Sequence, residues 1–169
     1  MYFMLNGISE PPTGQFKLNS TAVYNFLTNM WNDLLPRVSQ YTSYFHTGGD
    51  ELNYNVYGID PTVNSIDPAV IQPLLQKFID FNHARIRKAG LTPVVWEEML
   101  LNYNINLGSD VVIHTWLSDQ SVLASVQKGY KALAGAYQFW YLDCGQGKHY
   151  DALPKPTDKM NTTALESHD

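Results

Sequence analysis

Apolar residues recur at helical spacing over residues 20–35, where Val23, Phe26, Leu27, Met30, Trp31 and Leu34 define one face. Asn19 or Ser20 can cap this helix, and Pro36 is expected to stop it. Ser43-Tyr44-Phe45 is short, aromatic and β-prone, and reads as a strand. A second helical period starts at Asp67-Pro68 or at Gln72-Pro73 and carries Leu74, Leu75, Phe78, Ile79 and Ile86 on one side. It closes with Arg85, Arg87 and Lys88 against the negative helix terminus and Gly90 just beyond. Residues 92–96 and 110–116 are nearly continuous apolar runs, as in a parallel sheet covered on both faces. Residues 1–18, 53–67 and 102–108 lack periodicity and read as loops. Residues 119–128 predict a short helix with Val122, Leu123 and Val126 inward and Gly129 as its stop. Residues 131–137 predict a last strand, extended by 138–143.

The order helix, strand, helix, strand, strand, helix, strand predicts an α/β fold. A closed (β/α)₈ barrel needs eight strands and roughly 250 residues, whereas about four strands are visible in a chain of 169 residues. The expectation is therefore a small open sheet or part of a barrel. At 44% hydrophobic, 16% charged and 13% aromatic, the composition is globular. A net charge of −5 argues against nucleic acid or an anionic membrane as partner. No apolar run is long enough to span a bilayer, and Met1 to Gly7 lacks the basic region and apolar length of a signal peptide. A single cysteine, Cys144, excludes an intrachain disulfide and a cysteine-based zinc site, and reads as a buried thiol. His46, His83, His114, His149 and His168 have no metal-ligand spacing, so neither metal nor cofactor is expected. Two sequons, at Asn19 and Asn161, fit a secreted glycoprotein.

Candidate chemistry collects at the ends of the predicted strands. Phe45-His46-Thr47-Gly48-Gly49-Asp50-Glu51 places two glycines and two adjacent carboxylates after the first strand. Alternation along a strand sends Asp50 and Glu51 in different directions, which suits one protonated and one ionised acid. Trp96-Glu97-Glu98, Trp116 and Trp140-Tyr141-Leu142-Asp143 end the other three. Aromatic faces stack on the apolar face of a pyranose, and carboxylates accept from its hydroxyls. The carboxyl ends of parallel strands are also where barrel enzymes build their sites. His46 is expected to point into the sheet core as a hydrogen-bonding strut.

His46-Thr47-Gly48-Gly49-Asp50-Glu51 resembles the His-x-Gly-Gly-Asp-Glu signature of the family 20 glycoside hydrolases, the β-N-acetylhexosaminidases. Val95-Trp96-Glu97-Glu98, Ile113-His114-Thr115-Trp116 and Trp140-Tyr141-Leu142-Asp143 resemble that family's next three strand-end motifs, in order, and Asp143-Cys144-Gly145 is similar to the fungal branch. The resemblance runs from about residue 10 to about residue 150. It implies a (β/α)₈ TIM barrel of which residues 1–150 supply about the fourth to seventh strands, followed by a polar tail, 151–169, expected to be disordered. It also implies substrate-assisted hydrolysis of terminal β-linked GlcNAc or GalNAc, with chitin oligomers as one source. Glu51 would be the general acid/base, Asp50 would orient the 2-acetamido group, and Tyr141 would hydrogen-bond its carbonyl. Trp96 and Trp116 would wall the acetamido pocket, Asp143 would bind sugar hydroxyls, and Glu98 and His46 complete the substrate-binding set. An acid that stays protonated near neutral pH needs a raised pKa, which burial and an ionised Asp50 would favour.

Some family features have no counterpart. No stretch matches the substrate-clamping arginine of the first strand or the Trp- and Glu-bearing motif of the eighth. His114 stands where relatives often carry Gln, and Lys148-His149 replaces an expected aromatic. The chain therefore reads as a partial member: an incomplete gene model, a degenerate copy or a segment of a longer protein. Its expected partner is a small carbohydrate, with a homodimer open as a means of completing the barrel, and its expected location extracellular or vacuolar. Two other functions fit the same residues. One is a non-catalytic carbohydrate-binding remnant. The other is a retaining glycosidase with Glu97 or Glu98 as nucleophile, which needs carboxyl groups ~5 Å apart.

Overall fold

The computed structural model describes residues 9–10 and 14–141, and these form six strands and six helical segments. The first two strands, β1 (Ser9–Glu10) and β2 (Gln15–Phe16), form a short antiparallel hairpin where the sequence predicts only loop. The four others, β3 (Tyr44–His46), β4 (Thr92–Trp96), β5 (Val112–Thr115) and β6 (Lys131–Ala134), form one parallel sheet in the order β3-β4-β5-β6. Each strand lies beside its predecessor, and the order never reverses. That is the winding of a barrel segment, whereas a doubly wound sheet reverses at its switch point.

The first helix, α1 (Thr21–Val38), buries Val23, Leu27, Trp31 and Leu35 at the predicted spacing but runs through Pro36. A proline in the last turn removes only one ladder bond, and the chain continues to Ser39, whose N–H reaches the Leu35 carbonyl at 3.0 Å. One turn, α2 (Asn55–Ile59), interrupts the expected polar loop and buries Val56 and Tyr57. The long helix α3 (Pro68–Lys88) starts at the earlier of the two prolines. Asp67 Oδ1 caps it by accepting from the Ala69 N–H at 2.8 Å. Trp31 Nε1 donates to buried Asn82 Oδ1 at 2.7 Å, tying α1 to α3. A short α4 (Glu98–Leu101) follows β4, α5 (Asp119–Gln127) links β5 to β6, and α6 (Tyr137–Trp140) follows β6.

Strand alternation gives the sheet two unlike faces. Phe45 packs edge-on against Trp31 at 5.4 Å, and Val95 and Ile113 are buried in the cluster with Ile71, Leu75 and Ile79 of α3. The opposite face carries His46, Val94, Trp96, Val112, His114 and Leu133, of which Val94 and Val112 are buried. Leu133 is 49% exposed and Tyr44 55%. As expected from the two apolar runs, Val94 and Val112 on this face and Val95 and Ile113 on the other are all buried, and the exposed positions fall on the edge strands β3 and β6 of the face that a closed barrel turns inward.

Two other expectations differ. On α5, Ser121 and Ser125 face inward, while Leu123 and Val126 are exposed. After β6 the chain does not remain extended to residue 143. It breaks at Gly135 and Ala136 and makes the single turn α6. Leu142, Asp143, Cys144 and the tail 151–169 lie outside the described residues.

Candidate active site

The turn after β3 is built from backbone that only glycine adopts easily. Gly48 and Gly49 have φ of 77° and 107°, and a Cβ on Gly49 would sit 2.7 Å from Met99 Cε and Cγ. The missing side chain lets α4 pack against the turn. Around it, Trp96 N–H donates to the Gly48 carbonyl at 3.1 Å, and both N–H and Oγ1 of Thr47 donate to the Val94 carbonyl. His83, deep in α3, lies 3.2 Å through Nε2 from Thr47 Oγ1 and braces the turn from behind. Burial, with the nearby Arg87 charge, lowers its pKa to about 4 while Asp110 pulls the other way, so it is a neutral strut.

Asp50 and Glu51 follow, both exposed. Glu51 has φ of 48°, a left-handed conformation that a non-glycine residue adopts only when its surroundings enforce it. Tyr103 helps enforce it, since its hydroxyl accepts from the Leu52 N–H at 2.9 Å. Among the described residues, neither acid side chain has a hydrogen-bond or ion-pair partner. The burial expected to tune Glu51 is not supplied by the described residues.

His46 departs from its expected place. Because Phe45 takes the core side, His46 stands on the opposite face, exposed, and does not enter the sheet core. It is a hydrogen-bonding strut all the same, since its Nδ1 accepts from the Gly48 N–H at 3.0 Å. Its ring lies 4.6 Å from Trp96, and Trp96 stacks at 4.3 Å and 25° on His114. His114 fits because Gly135 has no Cβ, which would lie 2.7 Å from Nε2. Burial lowers the pKa of both histidines. For His46 the His114 charge adds to the effect and Asp50 opposes it.

The acids after β4 divide sharply. Glu97 is 1% exposed. Its Oε2 accepts from the Trp116 N–H at 2.8 Å and its Oε1 from Ser121 Oγ at 2.7 Å. It locks the end of β4 to β5 and α5, and no face of it is free to attack a sugar. Glu98, 5% exposed, accepts from the Trp116 indole N–H at 2.9 Å through Oε1, while its buried Oε2 has no hydrogen-bond partner among the described residues. Burial pushes this carboxyl above the usual range, against hydrogen bonds that lower it, and the Glu97 and Asp50 charges push it further. Neither acid is presented as the retaining nucleophile requires. The Trp116 ring lies nearly parallel to Tyr141, at 16° with centroids 6.4 Å apart.

The structure thus brings His46, Asp50, Glu51, Trp96, Glu98, Trp116 and Tyr141 to the carboxyl ends of adjacent strands, and Asp143 falls outside the described residues. Sequence reasoning missed His83, Tyr103, Ser121 and the structural role of Glu97, all joined to the site by tertiary contacts. Among the described residues, no three His, Cys, Asp or Glu side chains converge on a metal-sized space. No helix among them is long and apolar enough to cross a membrane. A groove of about 660 Å³ between α1 and α3, lined by Trp31, Leu35, Arg85 and Lys88 among others, contains none of the candidate residues.

Comparison with known proteins bears on this arrangement. The glycosyl hydrolase family 20 catalytic domain matches residues 4–167. A β-hexosaminidase of Arthroderma benhamiae is 43% identical over 159 residues, covering 89% of this chain but 26% of its own length. A chitooligosaccharidolytic β-N-acetylglucosaminidase of Ostrinia furnacalis is 26% identical, covering 82% of this chain and 26% of its own length. Among solved structures, the Flavobacterium johnsoniae chitobiase aligns with a TM-score of 0.61 at 22% identity, covering 74% of this chain and 20% of that one. The Vibrio harveyi exo-β-N-acetylglucosaminidase, solved with N-acetylglucosamine, aligns at 0.56 and 21% identity, covering 70% and 19%. The chain spans about a quarter of the length of the curated relatives it matches, and its four-stranded sheet is part of a TIM barrel.

Proposed function

This chain belongs to glycoside hydrolase family 20, and from that premise we propose that it carries the acid pair and part of the sugar pocket of a β-N-acetylhexosaminidase. The substrate is a terminal β-linked GlcNAc or GalNAc. Glu51 protonates the leaving glycosidic oxygen while the substrate's own acetamido oxygen attacks the anomeric carbon and forms an oxazolinium ring. Glu51 then takes a proton from the water that opens the ring, so no enzyme nucleophile is required. Asp50 orients the acetamido group and stabilises its developing positive charge, and Tyr141 hydrogen-bonds its carbonyl. Trp96 and Trp116 wall the pocket, His46 props the turn and Trp96, and Asp143 holds sugar hydroxyls. The observation that supports the reading best is the convergence of three ordered motifs at the carboxyl ends of adjacent parallel strands, with Tyr141 beside Trp116.

Chitin oligomers are the proposed natural source, in keeping with the name of the Ostrinia relative. Secretion, or delivery to a vacuole, fits the exposed Asn19 of the first sequon, and a second copy of the chain is a candidate partner. The test is hydrolysis of a chromogenic β-GlcNAc by the 169-residue chain, beside Glu51→Gln and a thiazoline mimic of the oxazolinium. Turnover that the mimic inhibits and that falls roughly a hundredfold in the variant supports the mechanism. Sugar binding without turnover, from a chain that melts cooperatively, would replace it with a carbohydrate-binding remnant.

A further inference from the structure

Two residues past Glu51 the backbone is gripped by a side chain 38 positions earlier in the sequence. Gln15, in β2, donates through Nε2 to the Asn53 carbonyl at 3.0 Å and accepts the Asn53 N–H on Oε1 at 3.1 Å. One bond falls on the peptide before Asn53 and the other on the peptide after it, so the residue is fixed in rotation as well as in position. Three further contacts run on in step. The Tyr57 hydroxyl donates to the Phe16 carbonyl at 3.2 Å, Lys17 Nζ lies 3.3 Å from buried Asp60 Oδ1, and Asn19 Nδ2 donates to the Thr62 carbonyl at 3.0 Å. Residues 15, 16, 17 and 19 thus meet 53, 57, 60 and 62 in order, as a strap laid along the loop. One exposed hydrogen bond holds little, because water competes for it. Contacts in register on one segment share the entropy of ordering it.

The strap closes a bracket around the acid pair. Upstream, the Gly48 carbonyl accepts from the Trp96 N–H, and Gly49 packs without a side chain against Met99. Downstream, the Tyr103 hydroxyl holds the Leu52 N–H at 2.9 Å and Gln15 holds Asn53. Between these anchors no described residue grips the side chain of Glu51, so its backbone decides where the carboxyl points. That backbone has φ of 48°, which an L-residue abandons once its neighbours let go.

We propose that Gln15 is a positioning residue for the general acid. By clamping both polar backbone groups of Asn53 it holds Glu51 in its left-handed conformation, and so aims the carboxyl at the leaving glycosidic oxygen. Tyr103 is the second clamp, one residue nearer. The inference rests on the role proposed above for Glu51, and its first readout does not depend on turnover.

Gln15→Met keeps the length of the side chain and removes both hydrogen bonds. NMR of the 169-residue chain reads the Glu51 Cα and Cβ shifts, which follow its backbone angles, and the exchange of the Leu52 N–H, whose own partner is Tyr103. In the variant the Glu51 shifts are expected to move toward unstructured values and Leu52 to exchange about fivefold faster. The Val95 and Ile113 amides in the sheet should be unchanged, which shows that the fold is kept. A change confined to Asn53 and the β1–β2 hairpin overturns the proposal, because Gln15 would then only moor that hairpin. Where the chain hydrolyses substrate, Gln15→Met loses roughly tenfold in kcat with KM within about twofold. Tyr103→Phe, which keeps the ring and removes the other clamp, is expected to show the same split. A rise in KM with kcat unchanged in both variants would also overturn it. A chain whose Glu51 shifts respond but which hydrolyses nothing would support the clamp and count against the glycosidase reading.

Discussion

At the scale of single residues, His83 links the buried helix α3 to the turn that carries the acid pair. It is 1% exposed, and it stays neutral because burial and Arg87 hold its pKa at about 4. The unfolded chain regains the ordinary value near 6.5. Between these two values the unfolded state binds the proton and the folded state does not, so stability falls as pH drops through that window. From pH 7 to pH 4.5 this one residue is expected to cost about 2 to 3 kcal/mol. Urea unfolding of the wild type and of His83→Gln at both pH values measures it, with a smaller pH difference expected in the variant. Identical pH dependence in the two proteins would remove His83 as the cause. In the sequence, His83 is one histidine among several without metal spacing. Its partner Thr47 is 36 positions away and on another element, so no local pattern connects them. The position of Asp50 and Glu51 in a turn after a strand was legible for the opposite reason, since the glycines and the strand that set it are contiguous.

At the scale of elements, the helices whose buried faces are purely apolar followed their period. The period of α1 is legible because Val23, Leu27, Trp31 and Leu35 bury at a spacing of four. The face of α5 was misread because polar contacts set its rotation. Ser121 donates to buried Glu97 and Ser125 donates to the Ser121 carbonyl, which turns Leu123 and Val126 outward. A buried carboxylate that needs a donor outweighs the burial of one leucine and one valine. The start of α3 was ambiguous between two prolines because both satisfy the first-turn rule. The Asp67 side chain decides for Pro68, leaving Pro73 to ride inside the helix. Asp67→Ala is therefore expected to destabilise the chain by about 1 kcal/mol. Asp67→Ser should restore most of that loss, and a thermal melt that ranks the two substitutions equally would place the helix start elsewhere.

At the scale of the whole molecule, the parallel sheet ends in two edges, β3 and β6, that pair with no further strand among the described residues, with Tyr44 and Leu133 exposed beside them. Leu123, Val126, Phe139 and Trp140 add further apolar surface on the β6 side. Unpaired edges beside exposed apolar side chains are the combination that soluble proteins avoid, because they template association. The 169-residue chain is thus expected to bind an apolar dye strongly when folded and to sediment above the monomer mass at micromolar concentration. Replacing Leu123 and Val126 with Lys and Glu removes apolar area without touching the sheet hydrogen bonds. That double variant should bind less dye and shift toward monomer, with its circular dichroism unchanged. If the wild type is instead monomeric and dye-silent, the open face is covered in solution, and Leu133 and Tyr44 would be protected from surface labelling. The two results lead to different accounts of the site. An open face leaves Asp50 and Glu51 in water, where a general acid has no reason to keep its proton. A covered one encloses them in the kind of environment that substrate-assisted hydrolysis needs.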